Sequence, residues 1–365
     1  SSVSLWLDRL AEPLTPRAPL PGDTRCDIAI VGAGFTGLWT AYYLLRADPS
    51  LRVVLVEKEI AGFGASGRNG GWCSALFPTS FSRLAAESGT DAALAMRDAM
   101  RSAVLEVGAA AEAEGIDCDF HRGGTLVLAR GRAQAARGRA EVAAATAAGS
   151  VDDGNLVWLE PPQVAEICDA PGVLGATFTP HCAALDPGKL VRGLASAVVA
   201  RGAGLYEQTA ALSIDPHLVV TDRGVVSADV VIRATEAFTA NLPGHRRDLA
   251  PIYSLITATE PLPDAVLDRL GLADPPTFAD LGNVICYGQR TADGRIVFGG
   301  RGAPYHFRST VRAGHDRDER VFARLRRQLV EMFPALRGVR FTDSWGGAVA
   351  APRDWHASVT FDPKT

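Results

Sequence analysis

The chain has 365 residues, of which 47% are apolar and 21% charged, and its formal net charge is −4. This length accommodates two domains that each have a core, and the composition is that of a globular enzyme rather than of a disordered or fibrous chain. The slight acidic excess, without any cluster of Lys and Arg interleaved with aromatics, excludes a nucleic-acid footprint, and the longest apolar stretches are only strand-length, which excludes a membrane-spanning helix.

Residues 1–24 carry Leu5, Trp6 and Leu7 followed by a proline-rich run, and read as an extended arm whose Trp6 plugs onto the body of the protein. Ile28, Ala29, Ile30 and Val31 then form an apolar run without polar alternation, the pattern of a parallel strand buried on both faces. It leads into Gly32-Ala33-Gly34-Phe35-Thr36-Gly37, a G-x-G-x-x-G placed between strand and helix. Gly32 permits the tight turn, Gly34 lets the backbone approach a pyrophosphate, and Gly37 lets the helix pack on the strand. The helix, about residues 37–46, points its free N–H groups and its positive end at the phosphates. A second apolar strand, Val53–Val56, runs into Glu57 and Lys58, and Glu57 stands twenty residues beyond Gly37. An acidic side chain there accepts hydrogen bonds from ribose hydroxyls. Next comes Gly62-Phe63-Gly64-Ala65-Ser66-Gly67-Arg68-Asn69-Gly70-Gly71, a glycine-rich loop that an NAD enzyme does not need. FAD is longer and lies extended, so its ribityl chain and ring require a second backbone cradle of this kind.

In these residues the chain resembles the D-amino-acid-oxidase-like superfamily of FAD-dependent oxidoreductases, which includes glycine oxidase, sarcosine oxidase and gamma-glutamylputrescine oxidase. The Ala65-Ser66-Gly67-Arg68-Asn69-Gly70-Gly71 form is most similar to the last of these. The resemblance implies an α/β class (α+β overall), with a Rossmann-like FAD-binding domain interleaved with an antiparallel-sheet substrate domain. The FAD-binding domain is expected to take 25–90, 181–249 and 341–365, and the substrate domain 91–180 and 250–340.

The rest of the chain is read in the same order. Residues 91–114 have apolar positions at helical spacing and form a core helix. His121 to Ala129 turn into a strand, and 133–148 form a second helix with Gly149 as its C-cap. Asp186 and Pro187 supply the N-cap and first position of another helix; in the superfamily this Leu-Asp-Pro turn marks the return to the FAD domain. Strands follow near Leu205, over Leu218–Thr221 and at Val225. The segment 230–237 resembles the family's late parallel strand, whose Ala234-Thr235 turn passes close to the flavin. Arg233 departs from that pattern, and its charge must reach solvent or a carboxylate. From Pro251 the alternation is that of antiparallel strands: 253–259, then a hairpin of 284–289 and 295–298 turning at Asp293-Gly294. Residues 315–332 form an amphipathic helix, and 341–347 resemble the final approach to the flavin. The pattern then stops before another glycine-rich turn and a closing helix found in relatives, and the chain starts at Ser1, so the sequence is expected to be incomplete at its ends.

The resemblance assigns cofactor contacts to Gly32, Gly34, Phe35, Thr36, Gly37, Glu57, Lys58, Gly64, Ala65, Ser66, Arg68, Asn69, Gly70, Gly71, Ala234, Thr235, Gly346 and Gly347, with Trp345 near the ring. Arg290 and Arg301 bracket the hairpin that faces the substrate in amino-acid-oxidising relatives. Arg301 binds a substrate carboxylate or makes a surface ion pair, and Arg290 is read as the latter. Tyr253 and Tyr287 wall the pocket or belong to the core. Covalent flavin attachment in relatives uses a late cysteine or a histidine in the early loop. This chain has neither, so FAD is expected to be non-covalent. The sarcosine-oxidase branch uses a substrate-domain lysine to help oxygen accept electrons, and none lies between Asp248 and Arg340, which leaves O2 or another acceptor open.

The expected activity is oxidation of the C–N bond of an amine or amino acid by hydride transfer to flavin, giving an imine that water hydrolyses. The alternatives are oxidation of a C–O bond, as in a 2-hydroxy acid, and a flavin-less non-catalytic homologue. Six cysteines without C-x-x-C spacing read as buried thiols rather than disulfides or a metal site, and with no signal-peptide pattern a cytoplasmic location is expected.

Overall fold

The computed structural model describes residues 3–147, 149, 155–303, 305–312, 314–356 and 359–361. Ser1, Ala148, Ser358 and residues 362–365, on which parts of the reading above fell, lie outside the described residues.

Thr24–Val31 lies between Val53–Val56 and Val225–Arg233, all three parallel, at the centre of a six-stranded sheet. Gly204–Tyr206 extends it in parallel on one side, and Leu218–Thr221 and Ala211–Asp215 extend it antiparallel on the other. A strand buried on both faces must be apolar throughout, and Val53–Val56 is buried at every position. On one face the helices Phe35–Ala47 and Pro187–Ala200 set Leu38, Leu45, Leu194 and Val198 onto Ile30 and Leu55. On the other, Leu20 of the arm joins Ala29, Val31, Val54 and Val56. Asp186 caps the second helix as expected, its Oδ1 accepting from the N–H groups of Gly188 and Lys189 at 2.8 and 3.0 Å. That cap is worth about 1 kcal/mol, whereas each fully buried Leu, Ile or Val contributes roughly 1.5–3 kcal/mol, so packing rather than capping fixes this layer. Arg233 ends its strand partly exposed, 2.6 Å from His245 Nδ1 and 3.8 Å from Asp248. The charge thus meets both solvent and a carboxylate.

The second sheet has eight strands in the order Phe341–Pro352, Leu249–Thr259, Ile296–Gly300, Cys286–Arg290, Thr277–Asp280, Thr125–Leu128, Ala176–Thr179 and Val157–Leu159. All neighbours are antiparallel except Thr277–Asp280 and Thr125–Leu128. The hairpin turn follows the Asp-Gly signal, with Gly294 at φ +78°. The helix Glu319–Met332 crosses one face and packs Val321, Phe322, Leu325 and Leu329 against Tyr253, Leu255, Phe278 and Phe298. It begins later than expected because Asp318 is its cap, accepting from the N–H groups of Arg320 and Val321.

Two expectations are corrected. The arm is not extended throughout: Leu5–Asp8 form one helical turn capped by Ser4, and Leu5, Trp6 and Leu7 are buried. The segment 341–365, expected with the FAD-binding segments, supplies the edge strand Phe341–Pro352 of the large sheet, paired along the whole of Leu249–Thr259.

Candidate functional site

The glycine turn is shaped by what each missing Cβ would meet. Gly32 takes φ +105°, and a Cβ there would lie 2.5 Å from the Ala234 carbonyl oxygen. A Cβ on Gly37 would overlap the Gly32 carbonyl, which is the close helix–strand packing that the third glycine of the pattern predicts. Gly34 is the N-cap residue of Phe35–Ala47 and offers no side-chain cap. The Phe35 N–H donates to Ser66 Oγ at 2.8 Å, and Thr36 is exposed in the first turn. Ala234 is tied to Val31 by a 2.9 Å backbone bond, and Thr235 Oγ1 lies 2.7 Å from Thr239 Oγ1.

Glu57 ends its strand with Oε2 accepting from the Ala33 N–H at 2.9 Å and Oε1 from the Glu59 N–H at 3.0 Å. Burial pushes its carboxyl up, and the two N–H donors oppose that shift. Lys58, by contrast, is a surface residue, 71% exposed and 3.8 Å from Glu59.

The second loop is joined to the first by the Gly62 N–H, which donates to the Ala33 carbonyl at 3.0 Å. Gly64 packs beside Phe238, and Ala65–Gly67 form a single 3-10 turn. The long side chains here fold back onto protein. Arg68 lies over the Phe63 ring, donates from Nε to the Phe63 carbonyl at 2.8 Å, and pairs through Nη1 with Asp316 at 2.7 Å. Asn69 donates to the Ala65 and Ser66 carbonyls and accepts from the Gly71 N–H. The backbone N–H groups of Asn69 and Gly70 have no protein acceptor among the described residues. Gly71, at φ +73°, leaves room for Gln289, whose Nε2 donates to the carbonyls of Gly70 and Leu185 at 2.9 and 3.2 Å.

The large sheet divides the tyrosines between its two faces. Side chains alternate along a strand, and the register sets Ser254 beside Gly347, Ile256 beside Trp345 and Gly299, and Tyr287 beside Gly299. That face meets the glycine-rich loop: a Cβ on Gly70 would overlap the Tyr287 ring, and one on Gly347 would lie 3.3 Å from Arg68 Cβ. Tyr287 is half-buried, its hydroxyl 2.6 Å from Ser254 Oγ, and burial pushes its phenol up. Tyr253 points the other way, 3% exposed in the core under Glu319–Met332. Of the two readings open for Tyr253, its place is that of a core residue.

Trp345, 2% exposed, is a support beneath the loop, its Nε1 donating to the Arg68 carbonyl at 2.9 Å. Gly346 is crowded by the Asp316 carbonyl, 2.6 Å from where its Cβ would stand. Arg301 is exposed at the end of Ile296–Gly300, close enough to Tyr287 for its charge to be felt there. Arg290 does not make the expected surface ion pair; its Nη1 donates to the Leu272 carbonyl at 2.5 Å.

Sequence reasoning missed Ser254 and Gln289. Gln289 lies two positions from Tyr287 on the same strand, and that alternation was the signal for it. A cavity of about 660 Å³ is lined by Trp6, Phe120, Lys189, Gln289 and Arg290 among others; none of the loop glycines lines it, but Trp6 and Gln289, which bond to the loop carbonyls of Asn69 and Gly70, do.

The turn and loop fit FAD. A helix N-terminus whose N-cap residue, Gly34, brings no side chain suits a pyrophosphate, Glu57 keeps lone pairs that ribose hydroxyls can use, and two loop N–H groups without a protein acceptor among the described residues are available as donors to a ligand. Among the described residues no His, Cys, Asp and Glu group can hold a metal ion, no helix is long and apolar enough to cross a membrane, and all six cysteines are free.

Comparison with known proteins agrees. A probable oxidoreductase, OrdL, of Rhizobium meliloti is 32% identical over 345 residues, covering 90% of this chain and 74% of the relative. The gamma-glutamylputrescine oxidoreductase of Escherichia coli is 28% identical, covering 88% of this chain and 73% of the relative. The crystal structure of glycine oxidase from Geobacillus kaustophilus superposes with a TM-score of 0.71 at 23% identity, covering 93% of this chain and 87% of that one. The sequence model of the DAO family, described as FAD dependent oxidoreductase, matches residues 27–363, and the chain belongs to that family.

Proposed function

We propose that this FAD-dependent oxidoreductase oxidises the C–N bond of a small amine or amino acid to an imine that water hydrolyses to a carbonyl, and that FAD is held without a covalent bond. The observation that carries the reading is the Ser254–Tyr287 hydroxyl pair set against Gly70 on the sheet face that meets the glycine-rich loop. FAD, when bound, supplies the two-electron acceptor, and the protein supplies orientation and electrostatics.

Burial keeps the Tyr287 phenol protonated at working pH, so the hydroxyl pair offers hydrogen bonds without charge. Arg68 is neutralised by Asp316, which leaves Arg301 as the cation for a carboxylate or other anionic end of the substrate. Its charge also favours the neutral form of an amine held nearby, because a like charge lowers an ammonium pKa. Gly32, Gly34, Gly37 and the Phe35–Ala47 N-terminus take the pyrophosphate, and Glu57 takes the ribose. The name of the Escherichia coli relative supports an amine substrate. Either O2 or another acceptor completes the cycle.

Residues 25–90 and 181–249 are assigned to an FAD-binding unit, and 91–180 and 250–340 to a substrate unit. The six unpaired cysteines support a cytoplasmic setting.

The test is anaerobic mixing of the FAD-loaded protein with panels of amines, amino acids and 2-hydroxy acids, following flavin absorbance. Bleaching by amines or amino acids is expected, and bleaching by hydroxy acids alone overturns the reading. Tyr287→Phe removes one hydrogen bond and is expected to slow bleaching by about 5- to 10-fold; an unchanged rate would remove Tyr287 from the site.

A further inference from the structure

The buried start of the arm has no role in the reading above. Ser4, Leu5, Trp6 and Leu7 are 0%, 2%, 3% and 1% exposed, yet they are only the cap and first residues of a helical turn of four residues, Leu5–Asp8. So short a helix is not stable by itself, and what fixes it is what it touches. Ser4 Oγ donates to the Gly67 carbonyl at 2.6 Å, and Trp6 Nε1 donates to the Asn69 carbonyl at 2.8 Å. Trp345 donates to the Arg68 carbonyl and Gln289 to that of Gly70, each at 2.9 Å. Successive carbonyls from Gly67 to Gly70 are therefore each held by a side-chain donor from a distant part of the chain. The two indoles meet edge to face, with ring centres 6.0 Å apart.

A peptide unit is planar and trans, so its C=O and its N–H point in opposite directions. The carbonyl of Arg68 shares its plane with the N–H of Asn69, and the carbonyl of Asn69 with the N–H of Gly70. Those are the two loop N–H groups without a protein acceptor. Holding the two oxygens on the indoles turns the two hydrogens away from them.

We propose that Trp6, acting with Trp345, is a positioning residue for the cofactor: the indole N–H groups fix the peptide planes 68–69 and 69–70 so that the N–H groups of Asn69 and Gly70 are preorganised as donors to FAD. This rests on the reading of the glycine-rich loop as the flavin cradle. Ser4 secures the turn that presents Trp6.

The experiment uses the full chain, stripped of flavin and titrated with FAD. The readouts are the Kd from flavin fluorescence, the visible spectrum of the bound flavin, and the melting temperature of the apoprotein. Trp6→Phe keeps an aromatic ring against Trp345 and deletes the N–H together with part of the indole. It is expected to weaken FAD binding about tenfold, the change one buried hydrogen bond commands, and to shift the flavin absorption bands. Arg9→Ala breaks the arm's surface ion pair with Asp293 without touching the loop, and is expected to leave affinity and spectrum at wild-type values. A lower apoprotein melting temperature with unchanged affinity and spectrum in Trp6→Phe would make the arm a packing plug and overturn the proposal. Should that variant not fold, Ser4→Ala is expected to weaken FAD binding a few-fold, and unchanged binding there overturns it equally. Wild-type FAD affinity in Gly70→Ala would instead overturn the cradle reading itself.

Discussion

Glu207 is fully buried, immediately after Gly204–Tyr206, and ties three segments together. It accepts from the Arg17 N–H at 2.7 Å, Arg17 Nη1 at 3.1 Å, Arg192 Nη1 at 2.8 Å and the Ala61 N–H at 2.9 Å. It thus fastens the arm and the Pro187–Ala200 helix to the residue that precedes Gly62. Burial raises the Glu207 carboxyl, but the Ala61 and Arg17 N–H groups and the Arg192 charge outweigh it and hold the carboxyl below its usual range. Glu207→Ala leaves two guanidinium groups and two N–H groups facing a site with no acceptor. Removing one partner of a buried ion pair costs about 3–5 kcal/mol. An unfolding entropy of about 2.1 cal/mol/K per residue gives roughly 0.8 kcal/mol/K for a chain of this length, so the melting temperature is expected to fall by about 4–6 °C. Thermal melts of the apoprotein at pH 7 followed by circular dichroism measure this, alongside Arg17→Ala, which leaves Glu207 with Arg192 and is expected to cost less than half as much. Because the folded pKa is depressed, the stabilisation is present above the ordinary glutamate range and is lost as pH falls through the folded value, so the gap between wild type and Glu207→Ala closes in acid. A fall below about 1 °C at pH 7, or a gap that widens in acid, would refute the reasoning.

Two further outcomes are expected. Gly37→Ala puts a methyl into the Gly32 carbonyl, which is backbone and has nowhere to move; the variant is expected to purify without flavin and to take up little FAD, and normal loading would show that the turn is not tightly packed. Partial burial pushes the Asp186 carboxyl up to about 6. Between the ordinary aspartate value and that one, the folded chain holds a proton the unfolded chain has released, so stability falls as pH rises through this window. Asp186→Asn keeps an oxygen to cap Gly188 and Lys189 and is expected to flatten the dependence of the urea midpoint between pH 4 and 6; parallel wild-type and variant slopes would contradict that.

What was legible in the sequence had local causes. Gly32, Gly34 and Gly37 were readable because turn, approach and packing are set within one strand–turn–helix unit, and Asp186 and Asp293-Gly294 because a cap and a tight turn are chemistry of neighbours. What was not legible depended on register. Phe341–Pro352 was grouped with the FAD-binding segments and not read as a strand beside Leu249–Thr259, because that partner lies far away in the chain. Tyr253 and Tyr287 looked equivalent as strand tyrosines, but a one-residue change of parity decides which face a side chain takes, and only pairing with the neighbouring strands reveals it.

The loop itself shows why a site like this is half hidden. A cradle that lets a large cofactor approach its backbone is built from glycine, and glycine brings no side chain with which to hold its own conformation. Left free, each such residue would cost roughly 1–2 kcal/mol to order when the cofactor binds. The constraint has to come from elsewhere, and here it comes from Trp6, Gln289 and Trp345, which are 63, 219 and 277 positions from the carbonyls they hold. A donor of that kind leaves no spacing to recognise: Trp6 reads as a hydrophobic plug and Gln289 as an ordinary strand residue. The glycines therefore stand out in the sequence, while the groups that make the loop rigid become visible only once the two sheets have been brought together.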